Sequence, residues 1–529
     1  MMESFCASYQ LLTLHGGVVR VPFLVRGQVV PPPQIEPAEI EAAFARAESD
    51  AVHVTLPGAQ VLRLPLIDRT MRRITAGWRY LLMPSIRPPD LIELDLDALA
   101  CGPYALPADA GAVYLETLIH AITDNLPLVA RVIELERAIS ELPEALLNAA
   151  FVAFAAGLDG QAARRMLDAE LSLWNIPGSR FLEEWVEVPG TPLADPAAIT
   201  GRAITPAAPA APTLIRATPT RQLHITAGNA PGIPIISALR MLLTRSVGVI
   251  KLPAGAILPG ALLALAAASA APDHLLTRHL SVVYWPGGDE SVEQVLFAPG
   301  AFDRIIVWGA PGAVASVQAR AAFTRTITFN PRYGVLLVGR EAFDNLEDVV
   351  LRAAQDTLIY NQKACNAAFV HYVEGDPSQV TMYAEALRAA LSRWDELAPQ
   401  VVPPAVRGQV RRMRRGRYVA AGWHLNERDG EYESGVIVVD DEFDMLDHPL
   451  FRLAVVRPVT RLEDALTFLS QAVSTTGIYP EERRLGLRDR IAARGVSNIL
   501  PLGQCERAYA GMPHDGMVVL SELVDWKNG

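Results

Sequence analysis

Residues 221–251, RQLHITAGNAPGIPIISALRMLLTRSVGVIK, decide the fold. The stretch is typical of a short apolar strand over 221–226, a turn with glycine and proline at 227–232, a helix over 235–243 and a second apolar strand over 247–251. Strand–helix–strand units whose strands are almost wholly apolar are typical of a parallel sheet covered on both faces. The sequence therefore predicts an α/β protein.

The same alternation of apolar strands and helices continues downstream. A helix over 259–271 leads to an apolar strand over 280–285, and a helix over 290–297 precedes a strand over 304–308. The apolar run 252–272 is long enough to span a bilayer. Its prolines, glycines and many alanines favour a buried crossover helix instead, and we expect no membrane span.

Three turns follow strands of this sheet, at 228–232, 251–255 and 309–312. Ligands bind beyond the carboxyl ends of such strands, so the turns predict one shared crevice. None of them is a GxGxxG or Walker loop. Glycines allow close backbone approach, helix N-termini attract phosphate, and Lys251 supplies a cation. The alternatives are a nucleotide site and an ordinary set of turns.

Composition limits the possible classes. The chain has 529 residues, so we expect two or three domains. A net charge of −11 argues against a nucleic-acid partner. The cysteines lie far apart and form neither a CxxC pair nor metal-type spacing, which predicts a reduced, cytoplasmic protein without a metal. They are Cys6, Cys101, Cys365 and Cys505.

A proline- and alanine-rich connection over 196–219 is a natural boundary. We expect four parts. They are a β-rich N-terminal extension over 1–110, a nucleotide-binding domain over 111–335 with its sheet mainly in 221–335, a catalytic domain over 336–475, and a C-terminal segment over 476–529 that returns to the cofactor domain or to an oligomer interface.

Cys365 stands where an amphipathic helix pattern over 346–358 has ended and just before a strand-like run over 368–373. A thiol at such a junction can face a cleft and lie near backbone N–H dipoles, which favour the nucleophilic thiolate. The alternative is a small buried hydrophobic residue. The other three cysteines have no comparable context, and we expect them to be inert.

Several short motifs occur in a characteristic order. They are GNAP at 228–231, VIK at 249–251, VYWPGG at 283–288, VWG at 307–309, NQKAC at 361–365, PHDG at 513–516 and LVDW at 523–526. Together they resemble the LuxC-type acyl-CoA reductases, the fatty-acid reductase branch of the aldehyde dehydrogenase superfamily, over about residues 100–527. The resemblance implies an aldehyde dehydrogenase-like fold, with a parallel-sheet cofactor domain and an α/β catalytic domain.

The resemblance also implies roles for single residues. Cys365 matches the nucleophile, and Asn229 matches the asparagine whose amide helps to form the oxyanion hole. Lys251 matches the lysine at the adenosine ribose, and Gly309 matches the start of the cofactor-binding helix. The other residues expected to contact the cofactor are Gly228 and Gly312 in these turns and Trp308 just before the third turn. The family implies NADPH, with NADH as the alternative.

Two departures from the superfamily affect the expected chemistry. The glutamate of the motif that holds the nicotinamide ribose is missing from 448–458, which puts that contact in doubt. The general-base glutamate of hydrolytic members is missing too, since Thr328 or its neighbour stands there. The acyl-cysteine should then survive long enough to be reduced. We therefore expect NAD(P)H-dependent reduction of an acyl-CoA or acyl-protein thioester to an aldehyde.

Two other functions stay open: a CoA-acylating aldehyde dehydrogenase that works in the oxidative direction, and a non-catalytic acyl-binding subunit of a reductase complex. We expect a homo-oligomer, and an acyl-transferring or synthetase partner is possible.

Further residues invite a functional interpretation. The arginine-rich stretch 407–417 suggests a dock for CoA phosphates or an acidic partner, although we favour a solvated segment between a helix and a strand over 418–424. His514 and Asp515 suggest a hydrolase dyad, although we favour a structural turn before a strand over 517–520. His371 on its apolar strand is interpreted as a core histidine.

Overall fold

The computed structural model describes residues 12–96, 106–149, 160–189, 213–321, 323–507 and 511–529. Its strands are β1 Thr13–His15, β2 Val18–Arg20, β3 Phe23–Val25, β4 Gln28–Val30, β5 His53–Leu56, β6 Ala59–Asp68, β7 Arg73–Pro84, β8 Val186–Val188, β9 Thr213–Thr218, β10 Arg221–Ile225, β11 Val247–Lys251, β12 Leu280–Val283, β13 Arg304–Trp308, β14 Arg325–Phe329, β15 Tyr333–Val338, β16 Ala368–Glu374, β17 Gly422–Arg428, β18 Glu431–Val438, β19 Leu453–Val459, β20 Val473–Tyr479, β21 Asn498–Pro501 and β22 Asp525–Asn528.

Its α-helices are α1 Pro37–Arg46, α2 Ala110–Thr123, α3 Leu126–Ile139, α4 Gly160–Glu170, α5 Gly178–Glu183, α6 Ile233–Leu243, α7 Ile257–Ala270, α8 Leu275–Arg278, α9 Glu290–Leu296, α10 Pro311–Arg320, α11 Leu346–Leu358, α12 Pro377–Leu397, α13 Pro404–Arg415, α14 Glu481–Ala492 and α15 Val519–Leu523. Most of the proline- and alanine-rich connection lies outside the described residues.

The first large sheet has the strand order β14-β13-β10-β11-β12-β3-β4. Strands β10 to β14 run parallel, with Ile225 paired to Lys251 across the β10–β11 ladder. The predicted α/β class with a parallel sheet is confirmed. Helix α7 occupies the long apolar run and is buried almost throughout, as predicted. Across the described ranges, no helix is long and apolar enough to cross a membrane.

The N-terminal residues divide between two sheets. Strands β1, β2, β5, β6 and β7 form a five-stranded sheet of their own. Strands β3 and β4 instead extend the first large sheet, where Leu24 pairs antiparallel with Val282. Part of the expected extension therefore closes one edge of the first large sheet.

The second large sheet has the order β17-β18-β19-β16-β15-β20-β21 and is parallel apart from the β17–β18 hairpin. Only residues 330–332 connect it to β14 of the first sheet. The expected domain boundaries at 335 and 475 fall inside β15 and β20. Cys365 lies between α11 and β16, at the amino end of a central strand.

The C-terminal residues lie against the first sheet. Asp525 forms an ion pair with Arg304 of β13, and the Thr220 hydroxyl donates to the Leu523 carbonyl at 2.6 Å. The strand predicted over 517–520 is wrong, because α15 begins at Val519. The buried Glu170 carboxylate accepts the Leu520 N–H at 2.9 Å, which stabilises the first turn of that helix.

The structure confirms that the arginine-rich stretch is solvated, but its predicted secondary structure is wrong. Most of it belongs to helix α13, which begins with Pro404, and the following strand starts at Gly422 rather than 418. Helix formation buries Val410 and Met413 while the arginines face outwards. Several of these arginines form ion pairs with the neighbouring β17–β18 hairpin and with residues 444–447.

Candidate active site

The segment that leads into Cys365 has an unusual backbone. After α11 ends, Tyr360, Asn361 and Gln362 have φ values of 47°, 55° and 63°. Non-glycine residues in this left-handed region cost about 1–3 kcal/mol each and persist where surrounding contacts hold them. Such a segment therefore needs external support.

That support comes from a second left-handed segment, Leu450 to Arg452, with φ values of 62°, 53° and 65°. The Phe451 N–H donates to the Asn361 carbonyl at 3.1 Å. The Gln362 side chain accepts from the Leu453 N–H at 3.0 Å and donates to the Leu453 carbonyl at 2.9 Å. The two segments therefore hold each other in place behind the cysteine.

A buried ion pair anchors this assembly. Arg452 lies 2.8 Å from Asp395, with side-chain exposures of 1% and 5%. The same guanidinium donates to Asn361 Oδ1 at 3.1 Å and to the Ala398 carbonyl at 2.7 Å. A fully desolvated arginine keeps its charge only when such partners surround it.

Cys365 itself is half-buried. Its carbonyl accepts a hydrogen bond from the Ser474 hydroxyl. Burial, and to a lesser extent the charge of Asp515, raise the pKa of the Cys365 thiol to about 11, although backbone N–H groups and Arg332 act to lower it. The expected N–H dipoles are present, but burial outweighs them, so the resting thiol is protonated at neutral pH.

Asn229 reaches the same loop from the other sheet. Its Nδ2 donates to the Lys363 carbonyl at 2.7 Å. The Lys363 ammonium in turn lies 2.7 Å from Glu141. The structure thus brings Asn229, in the turn after β10, into contact with Lys363, which lies two positions before Cys365 in the chain.

Lys251 lies at the end of β11 and is 8% exposed. Its Nζ lies 5.7 Å and 5.5 Å from the ring centroids of Tyr284 and Trp285. Burial lowers the pKa of Lys251 to about 8, against the opposing charge of Glu293. The ammonium makes no hydrogen bond or ion pair to any described residue.

The predicted cofactor glycines differ in their surroundings. A Cβ at Gly228 would lie 3.0 Å from backbone atoms of Gly255, so the first two turns pack against each other there. A Cβ at Gly309 would make an ordinary contact of 3.5 Å with Ala313, and one at Gly312 would meet nothing within 4 Å. Space is therefore open beside the start of α10.

Trp308 is half-buried in an aromatic cluster. Its ring stacks on Phe329 at 3.8 Å, and His514 meets both rings edge-on at 5.2 Å and 5.0 Å. Arg240 binds the His514 ring nitrogen at 3.0 Å. Burial and the nearby arginines lower the pKa of His514 to about 3, so it stays neutral at physiological pH.

Sequence reasoning missed two charged residues, Asp515 and Arg332, whose charges act on the Cys365 thiol. Thr328, at the position of the missing general base, is half-buried in β14 and pairs with Val307. The acidic group whose charge reaches the Cys365 thiol is Asp515, which stands 3.8 Å from Arg332. The PHDG motif contains Asp515 in a turn with φ 52°, and the motif by itself predicts only a structural turn.

The remaining candidates have structural environments. His371 is buried, contacts Thr357 and Tyr383 at 3.0 Å each, and has its pKa lowered to about 3 by burial, so the core interpretation is confirmed. Cys505 is buried against Asp356. Cys6 and Cys101 lie outside the described residues. The part of the chain that the structure describes contains no cluster of metal-binding side chains.

Comparison with known protein families identifies the family of this chain. The family model for acyl-CoA reductase (LuxC) matches residues 212–526. The chain belongs to the LuxC acyl-CoA reductase family. This LuxC-family chain is 26% identical over 308 residues to the long-chain acyl-protein thioester reductase of Vibrio harveyi and 28% identical over 318 residues to that of Photorhabdus laumondii. Each match covers 58% of this chain and spans 63% of the relative's length.

Solved structures confirm the aldehyde dehydrogenase-like fold of the LuxC-family chain. Lactaldehyde dehydrogenase from Escherichia coli is similar with a TM-score of 0.66 and 17% identity, covering 96% of this chain and 98% of that one. An aldehyde dehydrogenase C mutant from Pseudomonas syringae, in complex with NAD+ and octanal, is similar with a TM-score of 0.64 and 13% identity, covering 96% of each chain.

Proposed function

We propose that this LuxC-family protein reduces a fatty acyl thioester, carried by coenzyme A or by a protein, to an aldehyde through an acyl-Cys365 intermediate. The observation that carries the proposal is the hydrogen bond between Asn229 and the Lys363 carbonyl. It joins the carboxyl edge of a parallel sheet, where nucleotides bind, to the loop of the cysteine. The names of the relatives support the substrate class.

In the first half of the reaction, the Cys365 sulfur attacks the thioester carbonyl and expels the carrier thiol. The Asn229 amide has two N–H donors, and Lys363 occupies one of them. The other is free to stabilise the oxyanion together with the Cys365 N–H. One such donor typically contributes about 10²–10³ in rate.

The residues around the crevice fit a nicotinamide dinucleotide. The buried Lys251 ammonium lacks a hydrogen-bond partner among the described residues, and no side chain caps the N-terminus of α10. Lys251, Gly228, Trp308, Gly309 and Gly312 would hold the cofactor. A reduced nicotinamide, when bound, supplies the hydride that reduces the acyl group.

NADPH is the favoured form of this cofactor. Dinucleotide-binding sheets that prefer NAD use an acidic residue about 20 residues after the first turn to bind the 2′-hydroxyl, whereas a nearby cation accommodates a 2′-phosphate. Lys251 stands at the end of the second strand of this sheet. NADH stays the alternative.

The missing glutamate favours reduction over hydrolysis. Thr328 has no group that could activate water by accepting its proton at neutral pH, so the acyl-cysteine should outlast the departure of the carrier thiol. A CoA-acylating aldehyde dehydrogenase would need the same residues, and a non-catalytic acyl-binding subunit would not turn over. A homo-oligomer and an acyl-transferring or synthetase partner stay predictions.

The proposal is tested with purified protein, NADPH or NADH, and acyl-CoAs of increasing chain length, by following cofactor oxidation and aldehyde release. We expect aldehyde in proportion to oxidised cofactor, and none with Cys365→Ala. Faster turnover of aldehyde, coenzyme A and oxidised cofactor would favour the oxidative direction. Acyl-CoA binding without acylation or cofactor oxidation would favour the non-catalytic subunit.

A further inference from the structure

A buried carboxyl group whose charge acts on the Cys365 thiol takes no part in the steps above. The Asp515 side chain is 6% exposed, and its Oδ1 lies 3.8 Å from Nε of Arg332. Arg332 Nη1 also donates to the Ser497 hydroxyl at 3.1 Å. Asp515 is therefore held in place within the protein.

The chain geometry brings this pair close to the cysteine loop. Arg332 is two residues from Gly334, whose N–H donates to the Ala367 carbonyl at 2.7 Å. A Cβ at Gly334 would lie 2.5 Å from the Asn366 carbonyl oxygen. The start of β15 thus packs tightly on the residues that follow Cys365.

The groups that face Asp515 are few among the described residues. Arg332 and the buried Arg240 of α6 attract its charge, whereas burial raises the pKa of the carboxyl group. The neighbouring His514 is neutral and turned towards Arg240 and Trp308. Asp515 and Arg332 act in opposite directions on the Cys365 thiol.

The nucleophile needs a proton acceptor. A thiol with a pKa of about 11 is protonated at neutral pH, and the thiolate is the form that attacks a carbonyl. A general base must lie within hydrogen-bond reach of the proton or be linked to it by one water. The glutamate that could have served is missing, and Thr328 cannot replace it.

We propose that the Asp515 carboxylate accepts the Cys365 proton, directly or across one water molecule, as the sulfur attacks the acyl thioester, and then returns it to the departing thiol. The inference rests on the proposed acyl-transfer function. Arg332 is a positioning residue, because its charge lies 3.8 Å from the Asp515 carboxylate and favours the ionised form against the effect of burial.

The step balances without any cofactor. The Cys365 S–H bond breaks, the sulfur–carbon bond forms, and the carbonyl π electrons move to oxygen while Asp515 becomes protonated. When the tetrahedral species collapses, the carbon–sulfur bond to the carrier breaks and the carrier sulfur takes the proton from Asp515. The products are acyl-Cys365, a free thiol and an ionised Asp515.

The test compares two reactions of Cys365 in Asp515→Asn without NADPH. Loss of the negative charge lowers the thiol pKa, so alkylation by iodoacetamide at neutral pH should become faster. Loss of the base should slow single-turnover acylation by a radiolabelled acyl-CoA by about 10²-fold or more. Only a proton acceptor predicts these opposite directions. If acylation also becomes faster, or if neither rate changes, Asp515 is not the acceptor.

Further variants keep the test decisive. Glu522→Gln removes a carboxylate from the same C-terminal segment, where it pairs with Arg325, and should leave both rates unchanged. If Asp515→Asn fails to fold, Asp515→Glu is used instead, because it keeps a carboxylate. The pH at which its acylation rate changes should then differ from that of the wild type. An unchanged pH profile of the acylation rate would overturn the proposal. Wild-type protein that is alkylated but never acylated would refute the proposed function instead.

Discussion

The Asn229 amide donates a 2.7 Å hydrogen bond to the carbonyl oxygen of Lys363, a residue 134 positions further along the chain. The bond joins the turn after the first strand of the cofactor sheet to the loop that carries Cys365. It places a side-chain amide with two N–H donors next to the segment that carries the Cys365 sulfur. A turn predicted to bind the cofactor and the loop of the predicted nucleophile are therefore in direct contact.

Asn229→Ala should slow acylation by about 10²-fold, or about 2.7 kcal/mol, with cofactor affinity little changed. Asn229→Asp should be slower still, because a carboxylate repels the developing oxyanion. Single-turnover acylation and NADPH binding measure the two effects. Asn366→Ala is the control, since it removes the bond from the same loop to the Cys505 carbonyl (2.7 Å). An equal loss there would assign Asn229 to loop positioning.

Cys365→Ala should abolish acyl-enzyme labelling and aldehyde formation while NADPH binding stays within a few-fold. The reason is that the sulfur is the only atom of this residue that can carry the acyl group. Labelling with radioactive acyl-CoA, followed by mass spectrometry, locates the site. Cys505→Ala should keep the label, because that thiol is buried against Asp356. Label on the Cys365→Ala protein would contradict the assignment.

NADPH affinity should fall as the pH rises through about 8. Burial lowers the pKa of Lys251 to about 8, so above that pH the free protein loses the cation that would face the cofactor phosphate. Equilibrium binding from neutral to alkaline pH measures the effect. Lys251→Met should bind weakly at every pH, and Lys251→Arg should keep its affinity into the alkaline range. An affinity in the wild type that is constant across this range would remove Lys251 from the site.

Arg452→Met should destabilise the fold by about 3–5 kcal/mol, because it leaves the buried Asp395 carboxylate without its cation. Combining it with Asp395→Leu should recover most of that loss. Urea unfolding measures the free energies. Arg393→Ala, which removes an exposed pair with Glu347 at 3.8 Å, should change stability by less than about 1 kcal/mol. A single Arg452→Met variant as stable as the double would show that the pair is not coupled.

Without NAD(P)H, release of free fatty acid should be slow relative to reduction, since no glutamate stands at Thr328 to activate water. Quenched-flow measurement of acyl-enzyme decay, with and without cofactor, checks this. Rapid release without cofactor would contradict the expectation. Asp515→Asn would then show whether water reaches that carboxylate.

Local pattern was enough for much of the fold. The strands at 247–251 and 304–308 and the helix at 346–358 have the predicted bounds, because apolar runs and helical periodicity are properties of neighbouring residues. Pattern failed at 517–520 and at the arginine-rich stretch. At 517–520, the helix is stabilised by Glu170, which lies far away in the chain. In the arginine-rich stretch, the helix buries Val410 and Met413 on its inner face.

The sequence by itself determined the α/β class, the parallel cofactor sheet and the order of the family motifs, including Cys365 and Asn229. The tertiary structure alone decided which distant groups meet: Asp515 pairs with Arg332, and the two left-handed segments contact each other next to the Cys365 loop. It also decided that burial raises the thiol's pKa. The physical reason is that desolvation and charge act through space, so they depend on packing between segments that local sequence pattern does not encode.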